Sequence, residues 1–371
     1  MKIGVIKELK DKESRVALTP VGAKQLLADG HKITLEKDAG INSGFSNEEY
    51  EQLGVKIVAT TEAAWDADLI IKVKEPLEHA YQYFKDNIVF TYLHLAGVSE
   101  LLTKALIDAK TTAIAYETVE DENGAFPLLT PMSAVAGNMA ATVGAHYLAK
   151  FNKGKGVLLG NVFNERHGKV MVLGDGVVGQ HAATTADGMG ALVYLFGLND
   201  VHYKQIQQYV SADLKFVKST PENIAEHIKD TDLLIGAVLQ TGAKAPHIVT
   251  EEMVKTMQPG SVIVDVSIDQ GGCIETSRPT KHSDPVYIKH DVIHYCVTNM
   301  PGAYPRTSTI ALTNATLPYV LKLANQGIAA LQKDKGFCHG VNTHAGWITC
   351  KPVAEALGQM NQYKAFTDIT G

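Results

Sequence analysis

The stretch that decides the fold is Lys169-Val-Met-Val-Leu173, followed directly by Gly174-Asp-Gly176-Val-Val-Gly179. The first five residues have the character of a strand, and a helix-compatible stretch follows the third glycine. Here Gly174 permits a tight turn, Gly176 lets the backbone approach a phosphate, and Gly179 lets the helix pack on the strand. A glycine-rich turn without a ligand is the alternative. The flanking strand and helix favour a turn that holds a dinucleotide pyrophosphate on helix N-terminal amides.

The next predicted strand, Leu192-Val-Tyr-Leu-Phe196, ends on Gly197. A dinucleotide-binding domain normally carries an Asp or Glu near this point, which accepts hydrogen bonds from the ribose hydroxyls. Gly197 has no side chain for that task, and a missing acid relaxes the preference for NAD over NADP. No Arg lies close by in sequence to bind a 2′-phosphate. The sequence therefore favours NAD, and NADP remains the alternative.

The composition is typical of an ordinary globular protein. A chain of 371 residues suggests about two domains, and 45% apolar with 20% charged residues is a usual balance. The net charge of −6 argues against nonspecific binding to nucleic acid or anionic membranes. No apolar span is long enough for a membrane helix, and charged residues interrupt the first apolar run where a signal peptide would lie. Four scattered cysteines predict no structural metal site and favour a cytoplasmic location.

Short β-rich segments alternate with helical ones in two parts of the chain. The βαβα rhythm predicts a mostly parallel sheet with helices on both faces in each part. The predicted strands of the first part are 3–6, 32–36, 55–58, 68–73, 87–93 and 111–116, with helices at 21–29, 47–53 and 100–110. The predicted strands of the second part lie near 169–173, 192–196, 214–217, 232–238, 261–267 and 293–298.

Two long helical segments, 132–151 and 308–326, connect the two parts. After the second segment the chain cannot easily rejoin the nucleotide-binding sheet, so the C-terminal residues are expected to pack on the first part. The predicted class is α/β, with two Rossmann-like doubly wound parallel-sheet domains and an interdomain cleft. The first domain is expected to comprise residues 1–130 plus 308–371, and the dinucleotide-binding domain residues 131–307.

Four charged or titratable side chains follow predicted strands, where ligands bind in open parallel sheets. Arg15, Lys74 and His94 do so in the first domain, and Asp269 in the second. Each has an ordinary alternative: a solvated cation for Arg15 or Lys74, a core histidine for His94, and a turn cap for Asp269. Their shared location beside the glycine turn favours a catalytic site, because no requirement of the fold places all four there.

Short segments over nearly the whole chain also carry a family pattern. They are Glu13-Ser-Arg15-Val-Ala-Leu-Thr-Pro20, Lys72-Val-Lys74-Glu-Pro76, Thr91-Tyr-Leu-His94-Leu-Ala96, Ala115-Tyr-Glu-Thr-Val119, Pro131-Met-Ser133, Ile235-Gly-Ala-Val-Leu239, Gly242-Ala-Lys-Ala-Pro246, Val264-Asp-Val-Ser-Ile-Asp-Gln-Gly-Gly-Cys273, Asn299-Met-Pro301 and Ala311-Leu-Thr-Asn-Ala-Thr316. With these segments the chain resembles alanine dehydrogenase, in the group that also holds the nucleotide-binding part of proton-translocating nicotinamide transhydrogenase.

The resemblance implies reversible oxidative deamination of L-alanine to pyruvate and ammonium, with hydride transfer to NAD, in a homohexamer. By position, Arg15 and Lys74 match residues that hold the substrate, so the first domain would be the substrate domain. His94 matches the acid/base, and Asp269 matches the acid that steadies the amine. The cofactor contacts implied by the glycine motif and the resemblance are Ser133, Gly174, Gly176, Val177, Val178, Gly179, Gly197, Val238, Leu239, Ile268, Asp269 and Asn299.

Three features depart from the family pattern. Gly197 replaces the ribose-binding Asp, Ala134 replaces an acid that commonly follows Met-Ser, and the turn at 161–167 lacks a Pro-Gly sequence. These departures concern the nucleotide more than the substrate. Two alternatives therefore stay open: a nucleotide-binding component of a transhydrogenase, and a homologue with altered cofactor or substrate preference. The sequence leaves open the breadth of amino-acid specificity, the physiological direction and the size of the assembly.

Overall fold

A computed structural model describes residues 1–238 and 245–370. The chain divides into two compact units, one of Met1–Met132 with Gly302–Gly371, and one of Ser133–Pro301. In chain order the strands are β1 Lys2–Val5, β2 Lys32–Glu36, β3 Lys56–Val58, β4 Leu69–Ile71, β5 Ile88–Thr91, β6 Thr112–Ala115, β7 Gly160–Val162, β8 Glu165–His167, β9 Lys169–Leu173, β10 Leu192–Gly197, β11 Lys215–Lys218, β12 Leu233–Gly236, β13 Val262–Asp265, β14 Val286–Lys289, β15 Val292–Tyr295, β16 Val341–His344 and β17 Trp347–Ile348.

The helices of the described residues cover both units. In chain order they are α1 Pro20–Ala28, α2 Asn47–Glu51, α3 Thr61–Trp65, α4 Glu100–Asp108, α5 Thr130–Leu148, α6 Val177–Met189, α7 Val201–Ile206, α8 Pro221–His227, α9 Glu251–Val254, α10 Pro305–Gln326, α11 Ala329–Lys333, α12 Lys335–Cys338, α13 Lys351–Ala356 and α14 Phe366–Thr370. Helix α10 begins three residues before its predicted start, because Pro305 occupies the first turn, where a proline is well tolerated. In the described part of the chain, no helix is both long and apolar enough to cross a bilayer.

The sheet of the first unit has the strand order β17-β16-β6-β5-β4-β1-β2-β3. Strands β1 to β6 pair in parallel, whereas β16 is antiparallel to β6 and β17 is antiparallel to β16. Every residue of β4 and β5 is buried, as expected for central strands with helices on both faces. The C-terminal segment therefore adds its two strands to the edge of the first sheet.

The sheet of the second unit has the order β11-β10-β9-β12-β13-β15-β14. Its strands are parallel except for β14, which forms a hairpin with β15. The chain builds outward from β9 through β10 to β11, then returns to the other side of β9 with β12. This reversal is the topological switch point of a Rossmann sheet, where ligands bind beyond the carboxyl ends of the strands. The predicted α/β class with two parallel-dominated sheets is confirmed.

The expectation of mostly parallel sheets missed three hairpins, β7–β8, β14–β15 and β16–β17. Each turns through two residues with positive φ: Phe163-Asn164, His290-Asp291 and Ala345-Gly346. Such turns usually contain Asn-Gly or Asp-Gly, because glycine adopts positive φ without steric cost. These turns lack that signal, so the sequence did not reveal the antiparallel strands.

Candidate active site

Arg15 lies in the loop after β1 and is almost completely buried, with 2% of its surface exposed. Its Nε donates to Oε1 of Glu13 at 2.7 Å, and Nη2 donates to Oε2 of the same carboxylate. Nη1 lies 3.0 Å from Sδ of Met132. Burial by itself lowers the pKa of Arg15, but the hydrogen bonds and charge of Glu13 outweigh it and leave the pKa raised. The bidentate pair therefore holds a charged guanidinium in a fixed orientation.

Lys74 follows β4, and the carboxylate of Glu8 holds the backbone just after the end of this strand. Oε1 of Glu8 accepts from the N–H groups of Val73 at 2.7 Å and Lys74 at 3.2 Å, and lies 3.0 Å from Nζ of Lys72. Thr91 donates its hydroxyl to the carbonyl of Lys74 at 3.0 Å, which ties β4 to β5. The ammonium of Lys74 thus projects from a rigid backbone.

His94 follows β5 in a left-handed conformation with φ of 49°, which is costly for a residue with a side chain. The carboxylate of Glu117 accepts from the N–H groups of Leu93 and His94 and holds this conformation. Oε1 of Glu117 also lies 3.8 Å from Nδ1 of the imidazole. The side chain of His94 is 42% exposed. The alternative of a core histidine is therefore wrong.

Tyr92 links the two side chains. Its ring lies 6.0 Å from Nζ of Lys74 and stacks parallel to the ring of His94 at 5.7 Å between centroids. Its hydroxyl donates to the carbonyl of Leu128 at 2.6 Å, and burial raises the pKa of Tyr92, so the phenol stays neutral. Since β1, β4 and β5 are parallel neighbours, Arg15, Lys74 and His94 follow strand ends at one edge of the sheet.

The glycine turn of the second unit has the geometry that a dinucleotide requires. Gly174 has φ of 101°, and a Cβ there would lie 2.4 Å from the carbonyl oxygen of Ala237. A Cβ on Gly179 would lie 1.8 Å from the oxygen of Gly174, whereas nothing lies within 4 Å of one on Gly176. Helix α6 begins after Gly176, and no side chain caps its N-terminus. These observations fit a pyrophosphate on the helix N-terminus.

Neighbouring strand ends complete this edge of the second sheet. Asp265, at the end of β13, is buried and accepts from the N–H groups of Ser267 and Cys273 at 3.1 Å each. The hydroxyl of Ser267 donates to the carbonyl of Val238 at 2.8 Å, which ties the end of β13 to that of β12. Burial raises the pKa of Asp265, against the opposing effect of its hydrogen bonds. Asp265 thus organises the turn that carries Ile268 and Asp269.

The other predicted cofactor residues have the following places. Ile268 is buried and Asp269 is exposed, both in the 3₁₀ helix Val266–Gln270. Asn299 follows β15 with φ of 62°, and its carbonyl lies 3.1 Å from Nε2 of His282. Ser133 is half-buried in α5, Val177 and Val178 open α6, and Gly197 ends β10. Leu239 lies outside the described residues.

The four predicted catalytic and substrate residues are divided between the units. Arg15, Lys74 and His94 belong to the first, and Asp269 belongs to the second. Sequence reasoning missed Glu13 and Tyr92 as contributors, although both lie within two residues of a predicted site residue. The described residues contain no group of three or more His, Cys, Asp or Glu side chains that could hold a metal ion.

Family models, curated relatives and solved structures all point to the same protein family. A model described as "Alanine dehydrogenase/PNT, N-terminal domain" matches residues 4–136, and "Alanine dehydrogenase/PNT, C-terminal domain" matches residues 140–351. The alanine dehydrogenase of Bacillus subtilis (strain 168) is 53% identical over 361 residues, covering 96% of this chain and 95% of that protein. A solved L-alanine dehydrogenase has a TM-score of 0.93 at 45% identity, covering 96% of this chain and 99% of its own. A transhydrogenase from Sinorhizobium meliloti has a TM-score of 0.80 at 25% identity, covering 95% and 99%.

Proposed function

Because the chain belongs to the alanine dehydrogenase/PNT family, we propose that it is an NAD-dependent L-alanine dehydrogenase. The reaction converts L-alanine, NAD⁺ and water to pyruvate, ammonium, NADH and a proton, and is reversible. The observation that carries the proposal is the group formed by Arg15, Lys74 and His94, with Tyr92 beside the last two, at the carboxyl edge of the first sheet. A guanidinium, an ammonium and an imidazole are the groups that a small keto acid requires.

Arg15 binds the substrate carboxylate in this proposal. A guanidinium recognises a carboxylate through charge-assisted hydrogen bonds, and Glu13 holds the fork in place. Burial of Arg15 strengthens the attraction between its guanidinium and a substrate carboxylate, since the local dielectric constant is lower than that of water. Arg15, held by Glu13, therefore positions the keto acid through its carboxylate and leaves the carbonyl group available for reaction.

Lys74 and His94 act on the reacting carbon. As ammonia adds to pyruvate, negative charge grows on the carbonyl oxygen, and the ammonium of Lys74 stabilises it. The carbinolamine then loses water, which needs proton transfers that His94 performs. Asp269 interacts with the amine of the substrate. NAD, when bound, supplies the acceptor for the hydride of L-alanine, and Gly174, Gly176 and Gly179 shape the turn that holds its pyrophosphate.

The decisive experiment follows NADH absorbance with pyruvate and ammonium, separately and together. We expect NADH to be consumed only when both are present. Replacing His94 with Gln should lower kcat by about 10²–10⁴-fold, the usual contribution of a positioned acid/base. His339→Gln is the matched control, because His339 is 43% exposed in the same unit and also pairs with a glutamate, Glu120. Normal turnover by His94→Gln, or by Asp269→Asn, would remove that residue from the mechanism.

A nucleotide-binding component of a transhydrogenase is the second candidate, favoured by the similarity to the S. meliloti transhydrogenase. Such a component passes hydride to another protein and needs no amino-acid pocket. It would bind NADH yet leave its absorbance unchanged by pyruvate and ammonium. The buried Arg15–Glu13 pair beside Lys74 and His94 supports the dehydrogenase, because hydride transfer between two nucleotides has no use for a carboxylate site.

The assembly and location complete the proposal. We propose a homohexamer in the cytoplasm. Exposed apolar side chains support self-association, since Phe151, Leu158 and Phe163 are 81%, 69% and 96% exposed. The cysteines form no disulfides, as in a reducing compartment. Light scattering should give six times the 40.0-kDa chain mass, and a smaller particle would exclude the hexamer.

A further inference from the structure

The end of β10 lies against the side chain of Asp175, which belongs to the glycine turn. Gly197 ends the strand, and a Cβ built on it would lie 2.6 Å from both Cγ and Oδ2 of Asp175. Contacts below about 3 Å do not occur for real side chains, so a side chain at position 197 would require the carboxylate of Asp175 to move away. Asp175 is the residue between the first two glycines of the turn. Its carboxylate therefore occupies the place that an acid borne by the strand end would take.

Asp175 is held in this place by its surroundings. Gln180, in the first turn of α6, donates to the backbone carbonyl of Asp175 at 3.0 Å. Nδ1 of His202, on α7, lies 3.3 Å from Oδ2 of the carboxylate. The side chain of Asp175 keeps 17% of its surface exposed, and the space above its neighbour Gly176 is open. The carboxylate is thus fixed beside the position where the pyrophosphate would rest, with room for a ligand next to it.

We propose that Asp175 is the ribose-binding acid of this chain and that it makes the enzyme prefer NAD to NADP. A carboxylate accepts hydrogen bonds from the two hydroxyls of the adenosine ribose, and its charge repels a 2′-phosphate. The acid is therefore not lost at Gly197; it is supplied from the glycine turn, and Gly197 provides the space for it. The inference deepens the proposed function, since it concerns the cofactor of that same site.

An imidazole and an ammonium group lie nearby, and they define the alternative outcome of the test. His202 faces the carboxylate, and Lys218 is the residue of β11 paired with Gly197. If these two side chains bound a 2′-phosphate, the protein would bind NADPH at least as tightly as NADH. The fixed carboxylate argues against this, because Asp175 already lies beside His202 and carries the same sign of charge as the phosphate.

The test measures dissociation constants of NADH and NADPH by calorimetry or nucleotide fluorescence, without any turnover. Replacing Asp175 with Asn keeps its size and removes its charge, so NADH binding should weaken about tenfold or more, while NADPH binding should strengthen because the repulsion of the 2′-phosphate is removed. Gly197→Asp alone should weaken both nucleotides, since the new side chain meets the carboxylate of Asp175. The double change Asp175→Gly with Gly197→Asp should restore NADH binding to within a few-fold of the original.

The control is Asp230→Asn, which removes an exposed carboxylate just before β12. Asp230 therefore lies at the amino ends of the parallel strands, away from the glycine turn at their carboxyl ends. It should leave both constants unchanged. An NADH-to-NADPH ratio that stays constant in Asp175→Asn, additive effects of the two changes at 175 and 197, or tighter binding of NADPH by the unmodified protein would each overturn the inference. Because binding is measured directly, these results are independent of whether pyruvate and ammonium are substrates.

Discussion

Lowering the pH should destabilise the second unit through His294, a completely buried residue of β15. Burial lowers the pKa of His294 from 6.5 to about 4; the nearby charge of Lys289 adds to this effect, and the hydrogen bond that His294 donates to the carbonyl of Val292 opposes it. Nδ1 lies 3.0 Å from the carbonyl oxygen of Val292, so it carries the hydrogen and Nε2 accepts from Thr276 at 2.8 Å. Protonation of Nε2 would therefore reverse this bond, with Nε2 donating to Oγ1 of Thr276, and would place a positive charge in the core.

The size of the effect follows from the two pKa values. Above pH 6.5 His294 is neutral in both the folded and the unfolded protein, and its contribution to the free energy of unfolding is fully present. As the pH falls below 6.5, His294 becomes protonated in the unfolded chain but stays neutral in the folded protein. The free energy of unfolding therefore decreases. The loss is about 2 kcal/mol by pH 5 and approaches about 3 kcal/mol near pH 4.

Urea unfolding followed by far-UV circular dichroism, between about pH 5 and pH 8, measures this loss. Other groups titrate in the same range, so the informative quantity is the difference between the unmodified protein and His294→Gln, which keeps an acceptor for Thr276 but does not titrate. That difference should shrink by about 2 kcal/mol as the pH falls to 5. His167→Gln, at an exposed histidine of the same unit, is the control. Parallel pH profiles for His294→Gln and the unmodified protein would refute the reasoning.

Two further substitutions test the local geometry. Gly179→Ala places a Cβ 1.8 Å from the oxygen of Gly174 and should weaken NADH binding at least about tenfold, whereas Gly188→Ala, on the same helix with open space around it, should leave binding unchanged. Equal binding by both variants would show that the turn tolerates the displacement. Glu13→Gln removes the carboxylate charge that pairs with the buried guanidinium of Arg15; urea unfolding should show a loss of about 3–5 kcal/mol, and the KM for pyruvate should rise. Asp108→Asn removes an exposed partner of Lys104 and should cost less than about 1 kcal/mol, so similar losses for these two variants would contradict a special role for Glu13.

The sequence predicted those parts of the molecule that depend on neighbouring residues. The β9–turn–α6 unit and the parallel strands were recognisable, because apolar runs and glycine spacing are local signals. The rule that ligands lie beyond strand ends selected Lys74 and His94, and the structure places both after strands, β4 and β5. The hairpin strand β14 was missed, because the turn His290-Asp291 has positive φ at both residues without a glycine.

The contacts that refine the site could not be read from the sequence, because they join residues that are remote along the chain. Glu117 holds the left-handed conformation of His94 across 23 positions. Asp175 and Gly197 are 22 positions apart and belong to different elements, and only the paired strands β9 and β10 bring them together. Gly197 was consequently interpreted as the loss of an acid, whereas the structure shows a carboxylate already present in that place.

The order in which the ribosome delivers the strands has a consequence for biosynthesis. Residues 133–301 interrupt the first unit, so β6 emerges long before its edge partner β16. The interrupting unit can complete its own sheet while β6 still presents unpaired backbone N–H and C=O groups, a surface that invites pairing with another nascent chain. Several ribosomes on one mRNA hold many chains with an incomplete first sheet close together. A chaperone that covers the unpaired side of β6 until β16 has been synthesised would raise the yield of folded enzyme.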